Sequence, residues 1–135
     1  MILVDTSILI EILRKNSKVL SKLAALSLTA LTTSEICVME LIYGIFRSRN
    51  YQNRPDIITR RLQEFEQLCS KFVVLPFDRK CSFRTGEVMG KLKIAGNMID
   101  FRDGMIAGTA LANGVTEIYT ADVAHFQKIP ELKPV

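Results

Sequence analysis

The chain opens on a short apolar run, Met1 to Val4, that stops at Asp5 and gives way to Ile8, Leu9, Ile12 and Leu13 at helical spacing. A strand followed by a helix is predicted. Ser17 is placed to cap a second helix whose inward stripe is Val19, Leu20, Leu23 and Leu26, and the Thr-rich, β-prone segment near Leu28 to Thr33 reads as a second strand. Ser34 begins a helix reaching about Arg47 that is apolar on nearly every side, a pattern that predicts deep burial. After a loop from Asn50 to Pro55, the positions Ile58, Leu62, Phe65, Cys69 and Phe72 mark a further helix, and Val73 to Leu75 form a third strand closed by Pro76. Cys81, Thr85, Val88, Leu92 and Ala95 predict another helix, ended by Gly96-Asn97. The last helix runs from about Phe101 to Asn113 with Gly114 as its stop, and Glu117 to Thr120 is the fourth strand.

Strands alternating with helices define an α/β fold: a central parallel sheet of about four to five short strands flanked by helices on both faces. Residues 1–135 carry no internal repeat and no linker, so one domain is expected. An apolar content of 48% and a charged content of 24% exclude a disordered or low-complexity chain. The longest nearly apolar run, Ile36 to Phe46, is interrupted by Glu40 and falls short of the roughly 20 residues a bilayer span needs, so no membrane partner is expected. The N-terminal stretch meets Asp5 at once and lacks a basic lead-in, so it does not read as a secretory signal and a cytoplasmic protein is expected.

Cys37, Cys69 and Cys81 form no CxxC pair, and they read as reduced, buried thiols. With His125 the single histidine, a zinc site of the Cys/His kind is excluded, and any metal must be held by oxygen. Net charge is +4, and the stretch from Arg47 to Arg61, with Arg47, Arg49, Arg54, Arg60 and Arg61 against the single acid Asp56, accounts for all of it. That strip is either a solvated face or a phosphate-contacting surface, for which Arg47, Arg49 and Arg54 are the candidates.

Ligands of parallel α/β sheets bind at the carboxyl ends of the strands, so the acids that arrive there matter most. Asp5 directly follows the first strand and Asp122 lies just beyond the fourth. Glu40 sits about two turns into the helix leaving the second strand, and Asp103 begins a helix that must run antiparallel to the fourth. All four converge in this reading. Each has a plainer reading alone: Asp5 as a helix cap, Glu40 as the partner of a buried arginine, Asp103 as part of a capping arrangement, Asp122 as a turn residue. Asp100 is better placed as a cap than as a ligand, and His125 reads as a surface or ligand-orienting residue rather than a general base. Crowded, desolvated carboxylates are costly unless a cation neutralises them, and Mg²⁺ or Mn²⁺ favours this donor type. Thr6, Ser7, Thr120 and Asp100 are placed to orient ligands or water. Gly104 and Gly108 are expected to allow close helix packing.

VDTSILI at Val4 to Ile10, MELIYG at Met39 to Gly44, DGMIAGTAL at Asp103 to Leu111 and TADVAHFQKIPEL at Thr120 to Leu132 together resemble the PIN-domain ribonucleases. In its length the chain is similar to the VapC toxins of VapBC toxin–antitoxin systems. The resemblance spans nearly the whole chain and implies a single PIN-like domain with a Mg²⁺- or Mn²⁺-dependent endoribonuclease activity. It maps the acidic site onto Asp5, Glu40, Asp103 and Asp122. It further implies RNA hydrolysis leaving a 5′-phosphate and a 3′-hydroxyl, a homodimer, and inhibition by a small antitoxin whose tail enters the active-site groove. A housekeeping nuclease of ribosomal or transfer RNA maturation and a non-cleaving RNA- or protein-binding scaffold are the alternatives. An aspartyl phosphatase is disfavoured because Ser7 replaces the second acid of an Asp-x-Asp pair. A phosphate-binding loop is disfavoured because the Gly86, Gly90, Lys91 spacing is one residue short and Leu92 stands where Ser or Thr is required.

Overall fold

Successive side chains of a strand point to opposite faces, so the burial of Ile2, Leu3 and Val4 alike means that both faces of the first strand are covered. The computed structural model describes residues 1–26 and 30–135. Their element order is β1 (Ile2–Val4), α1 (Thr6–Leu13), α2 (Ser17–Ala25), β2 (Leu31–Ser34), α3 (Glu35–Phe46), a 3-10 turn (Arg49–Tyr51), α4 (Pro55–Cys69), β3 (Val73–Leu75), α5 (Arg79–Ile94), α6 (Phe101–Ala112), β4 (Glu117–Tyr119), α7 (Val123–Phe126) and β5 (Lys133–Pro134). The five strands form one sheet in the order β3-β2-β1-β4-β5, and every pairing is parallel. Successive strands step away from β1 on one side as far as β3, after which the chain returns to place β4 on its other side. The strand order therefore reverses at the β1/β4 boundary, where the carboxyl ends open a crevice.

Short polar side chains start the helices around that crevice. Asp5 caps α1, accepting from the Ile8 amide at 3.3 Å, and Ser34 caps α3 through the Cys37 amide at 3.2 Å. Asp100 caps α6, accepting from the Arg102 amide at 2.8 Å. These caps satisfy amides that have no partner inside their own helix. At the opposite helix ends, Gly96 and Gly114 take φ values of +69° and +72°, the left-handed turn that stops α5 and α6.

Several expectations need correction. Asn16, not Ser17, caps α2, accepting from the Lys18 and Val19 amides; a side-chain carbonyl one residue earlier reaches both. Leu20 of the supposed inward stripe is exposed, because the short α2 turns only Val19 fully inward. Of the predicted second strand, Leu28 and Thr29 lie outside the described residues, and β2 begins at Leu31. Phe72 stands beyond the end of α4 rather than within it. Of the three thiols, Cys37 and Cys81 are buried while Cys69 is only partly so, and all three are free.

The largest difference concerns α3. Only Ile36, Cys37 and Leu41 of this apolar helix are buried, while Met39, Tyr43 and Phe46 are 45%, 57% and 55% exposed. The helix packs on α1, α4 and α6, and among the described residues these leave one apolar flank without a covering element. A contiguous exposed apolar flank of this kind marks an interaction surface.

Helices α5 and α6 pack closely through glycine. A methyl group added at Gly108 would stand 2.9 Å from the Cα atom of Thr85, a backbone contact that cannot yield locally. At Gly104 the obstruction is the flexible Met89 side chain. Gly108→Ala is therefore expected to destabilise the fold by about 1–3 kcal/mol and Gly104→Ala by less. Urea unfolding checks the order of the two; equal losses would contradict this account.

Candidate active site

Asp5 is fixed from both sides of the crevice. Parallel pairing places it beside the end of β4, where its amide donates to the Tyr119 carbonyl at 3.1 Å. The carboxylate, only 4% exposed, accepts from Ser7 Oγ at 2.6 Å on Oδ1 and from Thr120 Oγ1 at 2.6 Å on Oδ2. Those hydroxyls are themselves held: Ser7 Oγ accepts from the Ala121 amide and Thr120 Oγ1 from the Asp122 amide, each at 2.9 Å. A hydroxyl donates one proton and accepts others, so each bridges a turn amide to one oxygen of Asp5. The β4–α7 turn thereby orients the carboxylate on β1.

Glu40 comes from the second turn of α3. Its Oε1 accepts from Thr6 Oγ1 at 3.0 Å, and its Oε2 lies 3.8 Å from Arg102 Nη1. The arginine anticipated beside Glu40 thus exists, on the half-exposed first turn of α6 rather than in the core. Asp103, on the same turn, has Oδ2 3.0 Å from His125 Nδ1, which assigns His125 of α7 a place beside the acids. Asp122 occupies the N-terminal position of α7 without making a side-chain cap, and is exposed. Asp100 is committed to capping α6 and to a 3.4 Å contact with Arg102 Nε.

Burial raises the carboxyl pKa of Asp5, Glu40 and Asp103 above the ordinary range. For Asp5 burial outweighs the hydrogen bonds from Ser7, Thr120 and Ile8, with Asp122 adding repulsion. For Glu40 it outweighs Thr6 and Arg102, with Asp103 and Asp5 adding repulsion. For Asp103 it outweighs His125, with Asp100 and Asp122 adding repulsion. The acids thus sense one another across β1, α3, α6 and the β4–α7 turn.

They share an edge without forming a chelate. Among the described residues, no three His, Cys, Asp or Glu side chains are gathered so as to hold one ion. Each of the three partly or fully buried acids takes a local partner instead: Ser7 and Thr120 for Asp5, Thr6 for Glu40, His125 for Asp103. The donor chemistry nonetheless fits a hard divalent cation. All the donors are oxygens, three are destabilised in their charged form, and Glu40 and Asp103 are only half-buried.

Beside the acids lies a groove of 620 Å³ whose walls include Thr6, Glu40, Tyr43, Arg47, Arg61 and Arg102. Of the arginines singled out in the sequence, Arg47 lines the groove and lies over the Tyr43 ring, 5.8 Å from its centre. Arg49, in the 3-10 turn, and Arg54, before α4, are exposed and stand outside the lining. Sequence reasoning missed Arg102; the signal available was its position next to a candidate acid in the first turn of a helix.

A parallel sheet of this order, with acids from separate elements at its carboxyl edge, is the architecture of a PIN domain, and the chain belongs to that family: the family's sequence model matches residues 2–132. Within it, the chain is 35% identical over 131 residues to the plasmid stability protein StbB of Pseudomonas syringae pv. tomato, covering 94% of this chain and 91% of that protein. It is 28% identical over 131 residues to the tRNA(fMet)-specific endonuclease VapC of Salmonella typhimurium, covering 97% and 93% of the two chains. Among solved structures, DNA-bound VapBC from Salmonella typhimurium superposes with a TM-score of 0.84 at 26% identity, over 100% of this chain and 98% of that one. VapBC-1 from nontypeable Haemophilus influenzae gives 0.80 at 30% identity, over 100% and 97%.

The raised carboxyl pKa of Asp5 carries a stability consequence. An acid whose folded-state pKa exceeds its unfolded value supports folding fully below the unfolded value and loses that support as pH rises through the folded one. Asp5→Asn keeps a capping side chain and removes the buried charge. In chelator at pH 7 it is expected to raise the melting temperature, with the gain vanishing as pH falls through the ordinary carboxylate range. Thermal unfolding across that range checks this, and a lower melting temperature at pH 7 would contradict it.

Proposed function

We propose that this chain is a metal-dependent endoribonuclease acting as the toxin of a type II toxin–antitoxin pair, cleaving RNA to leave a 5′-phosphate and a 3′-hydroxyl. The observation that carries the reading is the set of desolvated carboxylates from β1, α3 and α6 at one sheet edge, joined by Asp122 from the β4–α7 turn, in a chain whose relatives include VapC ribonucleases. Carboxylates left in mutual repulsion gain when a cation shares them.

Asp5, Glu40 and Asp103 would hold Mg²⁺ or Mn²⁺, with Asp122 as a further ligand or as the group that orients the attacking water. Bound there, such an ion supplies a more acidic water at neutral pH and neutralises charge on the phosphate and the departing oxygen. The chain's own residues supply the geometry. Ser7 and Thr120 fix both oxygens of Asp5, Thr6 fixes one oxygen of Glu40, and His125 restrains Asp103. Asp100 keeps the first turn of α6 in place, so that Asp103 presents from a capped helix end. RNA enters along the groove, where Arg47, resting on the Tyr43 ring, offers charge to the phosphates.

The partners follow from the same surface. The exposed flank of α3, with Met39, Tyr43 and Phe46, borders the groove and suits an antitoxin segment that covers it, and a homodimer completes the assembly. Solved relatives include VapBC complexes, which favours a toxin over a housekeeping nuclease. No helix among the described residues is long and apolar enough to cross a membrane.

Asp103→Asn is expected to reduce cleavage of an RNA substrate by at least about 100-fold while leaving the circular dichroism spectrum unchanged, and excess EDTA is expected to do the same to the wild type. Full cleavage by the variant, or cleavage unaffected by EDTA, would contradict the reading. Induced expression is expected to arrest growth, and the Asp103→Asn protein is not; growth unaffected by the active enzyme would place the chain among housekeeping nucleases.

A further inference from the structure

Resting on the nuclease reading above, we infer that Arg102 is a phosphate-positioning residue that Glu40 and Asp100 hold in the metal-free protein and that is freed for RNA once Glu40 turns to a cation. A site built of carboxylates repels a polyanion, and beyond the ion it would hold, a cationic side chain among the acids offsets that repulsion and orients a backbone phosphate. Among the described residues, Arg102 is the only lysine or arginine ion-paired with Asp5, Glu40, Asp103 or Asp122. It adjoins Asp103 in the chain and lines the groove that the RNA would follow.

Its bonding is what marks it out. Arg61 in the same groove is committed to Tyr51 and Glu64 and Arg14 to Glu11, while Arg47 lies over the Tyr43 ring away from the acids, so among the described residues Arg102 alone combines free donors with a place beside Glu40. Arg102 has a guanidinium with five N–H donors, of which one makes a long contact with Asp100 at 3.4 Å. Its approach to Glu40, at 3.8 Å, is an ion pair beyond hydrogen-bonding range. The side chain is 52% exposed, so this pair is weak and solvent-screened. Its remaining donors match the bidentate geometry of a phosphodiester. The α6 cap does not depend on this side chain, because Asp100 accepts from the Arg102 backbone amide. Substitutions at the position are therefore compatible with the fold.

Arg102 and a divalent ion compete for Glu40, so the inference has a signature that a merely structural ion pair lacks: opposite effects on metal and RNA. With Mn²⁺ alone as titrant in calorimetry, Arg102→Gln is expected to bind about two- to fivefold more tightly than the wild type. With a mixed-sequence 2′-O-methyl RNA oligonucleotide, which resists cleavage, the same variant in Mn²⁺ is expected to bind about tenfold more weakly. The salt dependence of RNA binding is expected to fall by about one phosphate contact. Arg102→Lys keeps the charge and loses the fork, so its Mn²⁺ affinity is expected to stay near that of the wild type while RNA binding remains impaired.

Weaker or unchanged Mn²⁺ binding by Arg102→Gln, or unchanged RNA binding, would overturn the inference. Asp5→Asn separates this failure from that of the underlying reading. If the wild type shows no Mn²⁺ binding that Asp5→Asn removes, the metal site itself is wrong and both fall. If that binding is present but Arg102→Gln fails to move either one of the two affinities in the stated direction, only the role of Arg102 falls.

Discussion

Burying Asp5 at the end of β1 is the constraint around which the site is organised. A carboxylate that is 4% exposed is costly to keep charged, and the chain surrounds it with three donors of its own. Two of those donors, Ser7 and Thr120, are tied to amides of the β4–α7 turn, so the cost is met by joining segments that lie 114 and 115 residues apart in sequence. The same bonds that make the acid tolerable make it rigid. Burial still prevails, and the carboxyl stays above its ordinary pKa.

The parallel sheet supplies the rest. Because all strands run the same way and their order reverses beside β1, each segment that leaves or approaches a carboxyl end delivers its first or last turn to one crevice. Glu40 arrives on α3, Asp103 on α6 and Asp122 on the turn into α7. Hydroxyls partner Asp5 and Glu40, His125 partners Asp103, and Arg102 lies beside Glu40. On the proposed reading a cation would relieve the cost of desolvating these acids, a trade of stability for activity familiar in catalytic sites.

Much of this was legible in the sequence because the local signals agreed with one another. Short apolar runs at Ile2–Val4 and Val73–Leu75, with periodic helices between them, fixed an α/β sheet, and acids at strand ends marked its working edge. Placing Asp5 beside Asp122 needed only the rule for parallel strands. What failed had tertiary causes. The burial of α3 could not be read from its composition, because whether Met39, Tyr43 and Phe46 are covered depends on which elements pack over them. The strand β5 is two residues long and α7 a single turn, both too short for periodicity to register. Arg102 faces Glu40, distant in the chain, and the arginine-rich strip that drew attention contributes Arg47 and Arg61 to the groove while Arg49 and Arg54 remain outside it.

The central claim is that these acids become a single cation site when their charge is shared. An anomalous-difference map from crystals grown with Mn²⁺ tests it most directly. The account predicts a peak bounded by carboxylate oxygens of Asp5, Glu40 and Asp103, with Asp122 adjoining. A map without a peak in that crevice, or with its only peak elsewhere on the molecule, would contradict it.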